Sequence, residues 1–264
     1  MTLALAREVA LPATPARPFA TPPEVAVRDL AVAYGEAPPV FSGVAFTVGR
    51  GEQVALIGAN GAGKSTLLKC CLGLIRPAAG EVSLFGERMG ARGGRPPRGG
   101  IGFVAQKHNL VPRLSVLSNV VHGTLAEASG PRRWLHGLAP KAVRERAQAA
   151  LDMVGLGDLA LRRADALSGG QSQRVAIARA LVVAPRLMLA DEPAASLDPA
   201  AGEEVMEVFT RVSRETGTTL IFTTHHLDHA ARFAGRVIGL ANGRLALDAP
   251  AAGIAPDQLR DIYG

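Results

Sequence analysis

The stretch Gly58-Ala59-Asn60-Gly61-Ala62-Gly63-Lys64-Ser65-Thr66 constrains this chain more than any other. It fits the pattern G-x-x-x-x-G-K-[ST] without a mismatch. The short apolar run at 53–57 ahead of it reads as a buried strand. Residues 65–74 behind it have helical character and close near Gly73 and Pro77. Glycines let the chain curl so that backbone N–H groups converge on a polyphosphate, and the positive end of the following helix points at the same group. Lys64 is expected to reach the β- and γ-phosphates, and Ser65 to ligate Mg²⁺.

The rest of the chain alternates strand and helix. Strands are predicted at 25–34, 44–48, 101–104, 187–190 and 220–223. The apolar residues Val143, Ala147, Ala150, Leu151 and Val154 recur at helical spacing inside a largely helical block, 115–167. Helices are also expected at 172–183 and 203–214. Residues 237–240 and 244–247, joined by Ala241-Asn242-Gly243, read as a hairpin. Residues 86–100 are mostly Gly, Arg and Pro and read as an exposed loop. The expected fold is α/β, a parallel sheet flanked by helices with a helical subdomain inserted at about 107–183.

Composition narrows the partners. The chain has 264 residues, 48% of them hydrophobic, enough for a sizeable core. Only 4% are aromatic, and the positive charge (net +6) sits largely on loop arginines such as Arg92, Arg95, Arg98, Arg132 and Arg133. There is neither a stacking platform nor a basic helix, which argues against a nucleic-acid partner. Cys70 and Cys71 are neighbours and form no disulfide framework; they read as small apolar helix residues in a reducing compartment. No apolar run is long enough to span a membrane. Residues 1–23, rich in Ala and Pro, read as a disordered N-terminal extension rather than a secretory signal.

A second acidic site follows. The strand at 187–190 ends in Asp191 and Glu192. An acid at that position holds Mg²⁺ in nucleotide hydrolases, and the next one is placed to polarise an attacking water. Upstream, Leu167-Ser168-Gly169-Gly170-Gln171 opens a helix with a second anion-binding arrangement.

The phosphate loop, Gln106, residues 167–171, Asp191-Glu192, Ser196-Leu197-Asp198 and His225 occur in that order. This resembles the ATP-binding subunit of ABC transporters from about residue 25 to residue 243. The resemblance implies a P-loop nucleotide hydrolase with an N-terminal antiparallel β subdomain. It implies a domain over 24–248 and a C-terminal tail with a short helix over 249–264. It implies that two copies pair head to tail, so that Ser168, Gly169, Gly170 and Gln171 of one cap the Mg-ATP held by the other. Glu192 becomes the catalytic base and His225 the γ-phosphate switch. Gln106 becomes a metal and water sensor, Asp198 a nucleotide-binding residue, and Tyr34 a stack on adenine. His226 is expected to be structural.

Three further segments, 108–117, 134–138 and 259–264, look like the ATPase subunit of phosphonate importers. The implied function is an importer motor on the cytoplasmic face of the bacterial membrane. Its partners would be an integral-membrane permease and, through it, a substrate-binding protein. Ala105, the Gly/Arg-rich 90–100 stretch and Thr223-Thr224-His225-His226 depart from the phosphonate pattern, which widens the expected solute to related phosphorus oxyanions. The alternatives are a non-transport ABC ATPase accessory to phosphonate degradation, or an importer ATPase for metal ions or amino acids.

Overall fold

In a computed structural model, residues 22–35, 37–89, 100–127, 130, 134–254 and 262–263 are described. All but Pro22 and Pro23 of the expected N-terminal extension, residues 90–99 of the Gly/Arg-rich loop, and 255–261 of the tail lie outside them.

Three apolar runs with no polar alternation make the centre of the molecule. β3 (Gln53–Ile57), β7 (Leu187–Ala190) and β8 (Thr219–Thr223) are buried on both faces, as parallel strands covered on two sides must be. With β6 (Ile101–Val104), β9 (Arg236–Ala241) and β10 (Arg244–Pro250) they form a six-stranded sheet, order β10-β9-β3-β8-β7-β6. Every pairing is parallel except β9–β10, which is the predicted hairpin. Its turn uses left-handed backbone at Asn242 and Gly243, with φ of 50° and 70°.

Successive side chains on these strands go to opposite cores. Val54, Leu56, Leu187, Leu189 and Ile221 pack toward a four-stranded antiparallel sheet and the first helix, α1 (Lys64–Cys71). Ala55, Ile57, Met188, Ala190, Leu220 and Phe222 pack toward the remaining helices. The antiparallel sheet has the order β2-β1-β4-β5, from β1 (Val25–Val32), β2 (Phe41–Val48), β4 (Ala79–Leu84) and β5 (Glu87–Arg88). Arg236 ties the two sheets together: its guanidinium holds Asp248 at 2.6 and 2.7 Å and donates to Thr47 O at 2.9 Å.

The helical side consists of α2 (Val116–Val121), α3 (Lys141–Met153), α4 (Gly169–Leu181), α5 (Pro199–Glu215) and α6 (Leu227–Phe233). The predicted stripe Val143, Ala147, Ala150, Leu151 and Val154 is buried throughout. Cys70 and Cys71 are buried free thiols of α1.

Several boundaries differ from expectation. α4 begins at Gly169, not 172, because the Ser168 and Gln171 side chains form a reciprocal cap with each other's backbone amides. α5 begins at Pro199, with Asp198 as its cap. β4 has no counterpart in the sequence reading: one β-branched residue, Val82, sits among Ala79, Gly80 and Glu81. Only pairing with β1 makes it a strand. β5 lies inside the expected 86–100 loop and is held by Ser83 and Leu84. β10 runs to Pro250, past the expected strand end at 247, because its ladder to β9 continues to Arg236.

Candidate nucleotide site

The parallel ladder decides which residues meet. Leu56 pairs with Thr223, Ala190 with Phe222, and Val104 with Ala190. The carboxyl ends of β3, β6, β7 and β8 therefore lie along one edge. The loops leaving them bring together Gly58–Thr66, Gln106, Asp191-Glu192 and His225, where ligands bind in open α/β sheets.

The loop after β3 is shaped by close approach. Gly58 has φ 153°, and a Cβ on it would stand 2.5 Å from Leu240 O of β9. Gly63 has φ 97°, and a Cβ on it would stand 2.8 Å from the Phe41 ring. Lys64 is 5% exposed. Its ammonium donates to Gly58 O at 2.8 Å and Ala59 O at 3.2 Å, so it lies folded over the loop. Burial pulls its pKa below the usual lysine range, and the negative charges of Glu192 and Asp191 oppose that shift.

Behind the loop runs a chain of hydrogen bonds. Ser65 Oγ donates to Asp191 Oδ1 at 2.9 Å. Thr223 Oγ1 donates to the same oxygen at 2.8 Å and accepts from the Glu192 amide at 2.8 Å. Ser65 and Asp191 offer a hydroxyl and a carboxylate, hard oxygen donors that suit Mg²⁺ when phosphate and water complete the shell. Among the described residues no group of three or more His, Cys, Asp or Glu could by itself hold a metal ion.

Glu192 is in the left-handed region, φ 47°, unusual for a residue with a Cβ. That turn carries its carboxylate back toward the site. Gln106 Nε2 donates to Glu192 Oε2 at 3.3 Å, and His225 Nδ1 lies 3.7 Å from Oε1. Gln106, Glu192 and His225 thus form one group. Tyr34 is 52% exposed at the entrance, with its hydroxyl 3.5 Å from Thr66 Oγ1. The His226 ring lies between those of His225 and His229, tilted to both, at centroid distances of 4.1 and 5.1 Å.

Ser168, Gly169 and Asp198 are exposed. Among the described residues, no hydrogen bond joins 168–171 or Asp198 to the phosphate loop. Ser168 and Asp198 instead cap adjacent helices, and Leu197 lies against Gly169.

Sequence reasoning passed over Thr223, which bridges the two acids. Its signal was available: a hydroxyl at the end of a buried strand beside an acid-ended one. It also passed over the clamp on the segment after Gln106. Arg179 donates to His108 O and Asn109 O at 2.7 and 2.9 Å. Asn119, fully buried, holds Val111 and Ser115 through three hydrogen bonds.

The profile of a family described as ABC transporter matches residues 41–195. The chain is 49% identical over 225 residues to a phosphonates import ATP-binding protein, PhnC, of Nocardia farcinica, covering 83% of each chain. It is 42% identical over 249 residues to the PhnC of Caulobacter vibrioides, covering 92% of this chain and 94% of that one. Among solved structures it is similar to cbiO1 of Clostridium perfringens, part of the ABC transporter complex cbiONQ, with TM-score 0.76 and 29% identity over 87% of this chain and 89% of that one. It is also similar to the dimeric, post-hydrolysis structure of the cassette MJ0796 bound to ADP and Pi. There the TM-score is 0.69 at 32% identity, over 87% of this chain and 100% of that one.

Proposed function

This chain belongs to the ABC transporter family, as an ATP-binding ATPase subunit, and from that premise we propose that it drives import of a phosphonate or a related phosphorus oxyanion. The observation that carries the ATPase reading is the hydrogen-bonded line Ser65–Asp191–Thr223–Glu192 behind the phosphate loop. The solute rests on the PhnC relatives alone.

The residue roles rest on the family resemblance, and the geometry of the site supports them. The amides of residues 58–66 cradle the phosphates of ATP, and Lys64 leaves its carbonyl partners to meet the β- and γ-oxygens. Ser65 and Asp191 would hold Mg²⁺, whose charge would offset that of the phosphates, and Gln106 would sense the ion and its water. Glu192 accepts a proton from the attacking water, and His225 bonds the γ-phosphate. Tyr34 stacks on adenine.

Ser168, Gly169, Gly170, Gln171 and Asp198 act on the ATP of a second copy. The exposure of Ser168, Gly169 and Asp198 supports this reading. ATP then joins two copies and hydrolysis separates them. Driving a permease from 1:99 to 99:1 between its states takes about 5.5 kcal/mol of differential binding, within reach of two sandwiched nucleotides. The chain sits on the membrane's cytoplasmic face against that permease, which receives solute from a binding protein; among the described residues no helix is long and apolar enough to cross a membrane. The domain spans 24–248 with its helical insert at about 107–183.

Two measurements test this. Glu192→Gln is expected to abolish turnover and accumulate an ATP-bound dimer in size-exclusion chromatography with light scattering. Wild-type turnover in that variant rules out Glu192 as the base. In cells lacking this gene, phosphonate uptake is expected to return with the wild-type chain and not with Lys64→Ala. Uptake unaffected by the deletion removes the phosphonate assignment and leaves the ATPase reading standing.

A further inference from the structure

The helix that begins at the Ser168 cap also grips the segment leading away from Gln106. Gln173 lies five residues, about 7.5 Å, past Ser168 along α4 and is fully buried. Its amide oxygen accepts a hydrogen bond from His108 Nδ1, two residues beyond Gln106. Its amide nitrogen is buried without a hydrogen-bond partner. An unmet buried donor is costly, and an apolar side chain of similar size would fill the space without that cost. What an apolar side chain could not supply is the bond to His108.

Six residues further along α4, Arg179 donates to His108 O at 2.7 Å and to Asn109 O at 2.9 Å. Asn109 has φ 50°, so the backbone turns where the guanidinium holds it. One helix therefore takes a side chain and two carbonyls of this segment. At the segment's start, Gln106 Nε2 donates to Glu192 Oε2 at 3.3 Å.

We propose that Gln173 and Arg179 are positioning residues for hydrolysis. They fasten the segment carrying Gln106 to α4, so that the helix end presenting Ser168 and the amide facing Glu192 move as one piece. This rests on the head-to-tail reading above. ATP of a second copy, bound at Ser168, then sets Gln106 in this chain's own site, and the two sites of a pair turn over cooperatively.

The test is Gln173→Leu, which keeps the volume and removes the bond. His108 is half-buried, so water replaces its lost acceptor. The expected result is a fall of about tenfold in kcat and a Tm no lower than wild type. Affinity for a fluorescent ATP analogue is expected to stay within about twofold, because the phosphate loop is untouched. The Hill coefficient of turnover against ATP is expected to exceed one in wild type and to fall toward one in the variant. His108→Ala cuts the same bond from its other side. It is expected to give the same loss, and the double variant no more than either alone. Wild-type kcat in both single variants, an unchanged Hill coefficient, losses that multiply, or a loss of kcat matched by lost nucleotide affinity each overturns the proposal. Should Gln173→Leu not fold, wild-type kcat and Hill coefficient in His108→Ala overturn it alone. If Glu192→Gln forms its ATP-bound dimer while Gln173→Leu behaves as wild type, only the clamp falls. If Glu192→Gln forms no dimer, the head-to-tail reading falls and the link between sites with it.

Discussion

Thr223 and Asp191 stand side by side at the ends of neighbouring parallel strands, joined by a 2.8 Å hydrogen bond from hydroxyl to carboxylate. Through the same oxygen Thr223 takes the Glu192 amide. One hydroxyl therefore fixes both the acid facing the metal position and the peptide that turns Glu192 into the site.

Thr223→Val tests that bridge. The valine keeps the strand and the volume but strips a partner from each acid. Stability is expected to drop by about 1–3 kcal/mol in urea unfolding. ATP turnover is expected to fall at least about tenfold, because a tenfold loss needs only about 1.4 kcal/mol of misplacement. Full activity with unchanged stability would show that the strand ends position the acids without Thr223.

Gly63→Ala tests the fit of the phosphate loop to the antiparallel sheet. The backbone there has φ 97°, and an added Cβ would meet Phe41 at 2.8 Å and Val40 at 2.9 Å. Phe41 is fully buried and cannot withdraw freely. The strain costs about 1–3 kcal/mol. The expected readouts are a lower Tm and at least a tenfold weaker binding of a fluorescent ATP analogue. Unaltered nucleotide affinity would mean that the loop relaxes around the methyl group.

His229 makes stability pH-dependent. Burial lowers its pKa, reinforced by the neighbouring His226 and His225 and opposed by Asp228. A depressed folded-state pKa means the unfolded chain binds more protons in the window between the two values, so stability rises with pH there. The contribution is complete above the unfolded value, about 6.5, and is lost as pH falls toward the lowered folded value. The slope of Tm against pH below about 6.5 is expected to be shallower in His229→Gln than in wild type. Equal slopes would assign the acid sensitivity elsewhere.

Local physics made much of this protein readable in one dimension. The phosphate loop needs glycines at fixed spacing ahead of a helix, and buried parallel strands need unbroken apolar runs, so residues 53–66, 187–192 and 219–223 declare themselves. The stripe of α3 announces its buried face in the same way. The resemblance carried by the ordered motifs supplied the family.

Other features depend on what lies across a sheet. β4 is a strand because β1 pairs with it, not because its residues prefer to be one. Thr223 joins the site because β7 and β8 are in a register that sets it beside Asp191. Gly63 is constrained by Phe41, twenty-two positions away in the chain, and Gly239 by Ile262, twenty-three positions away. Spacing along the chain encodes local conformation, which the sequence by itself determined. Register and close approach are long-range pairings that exist only after the sheets have packed, and the tertiary structure alone decided them.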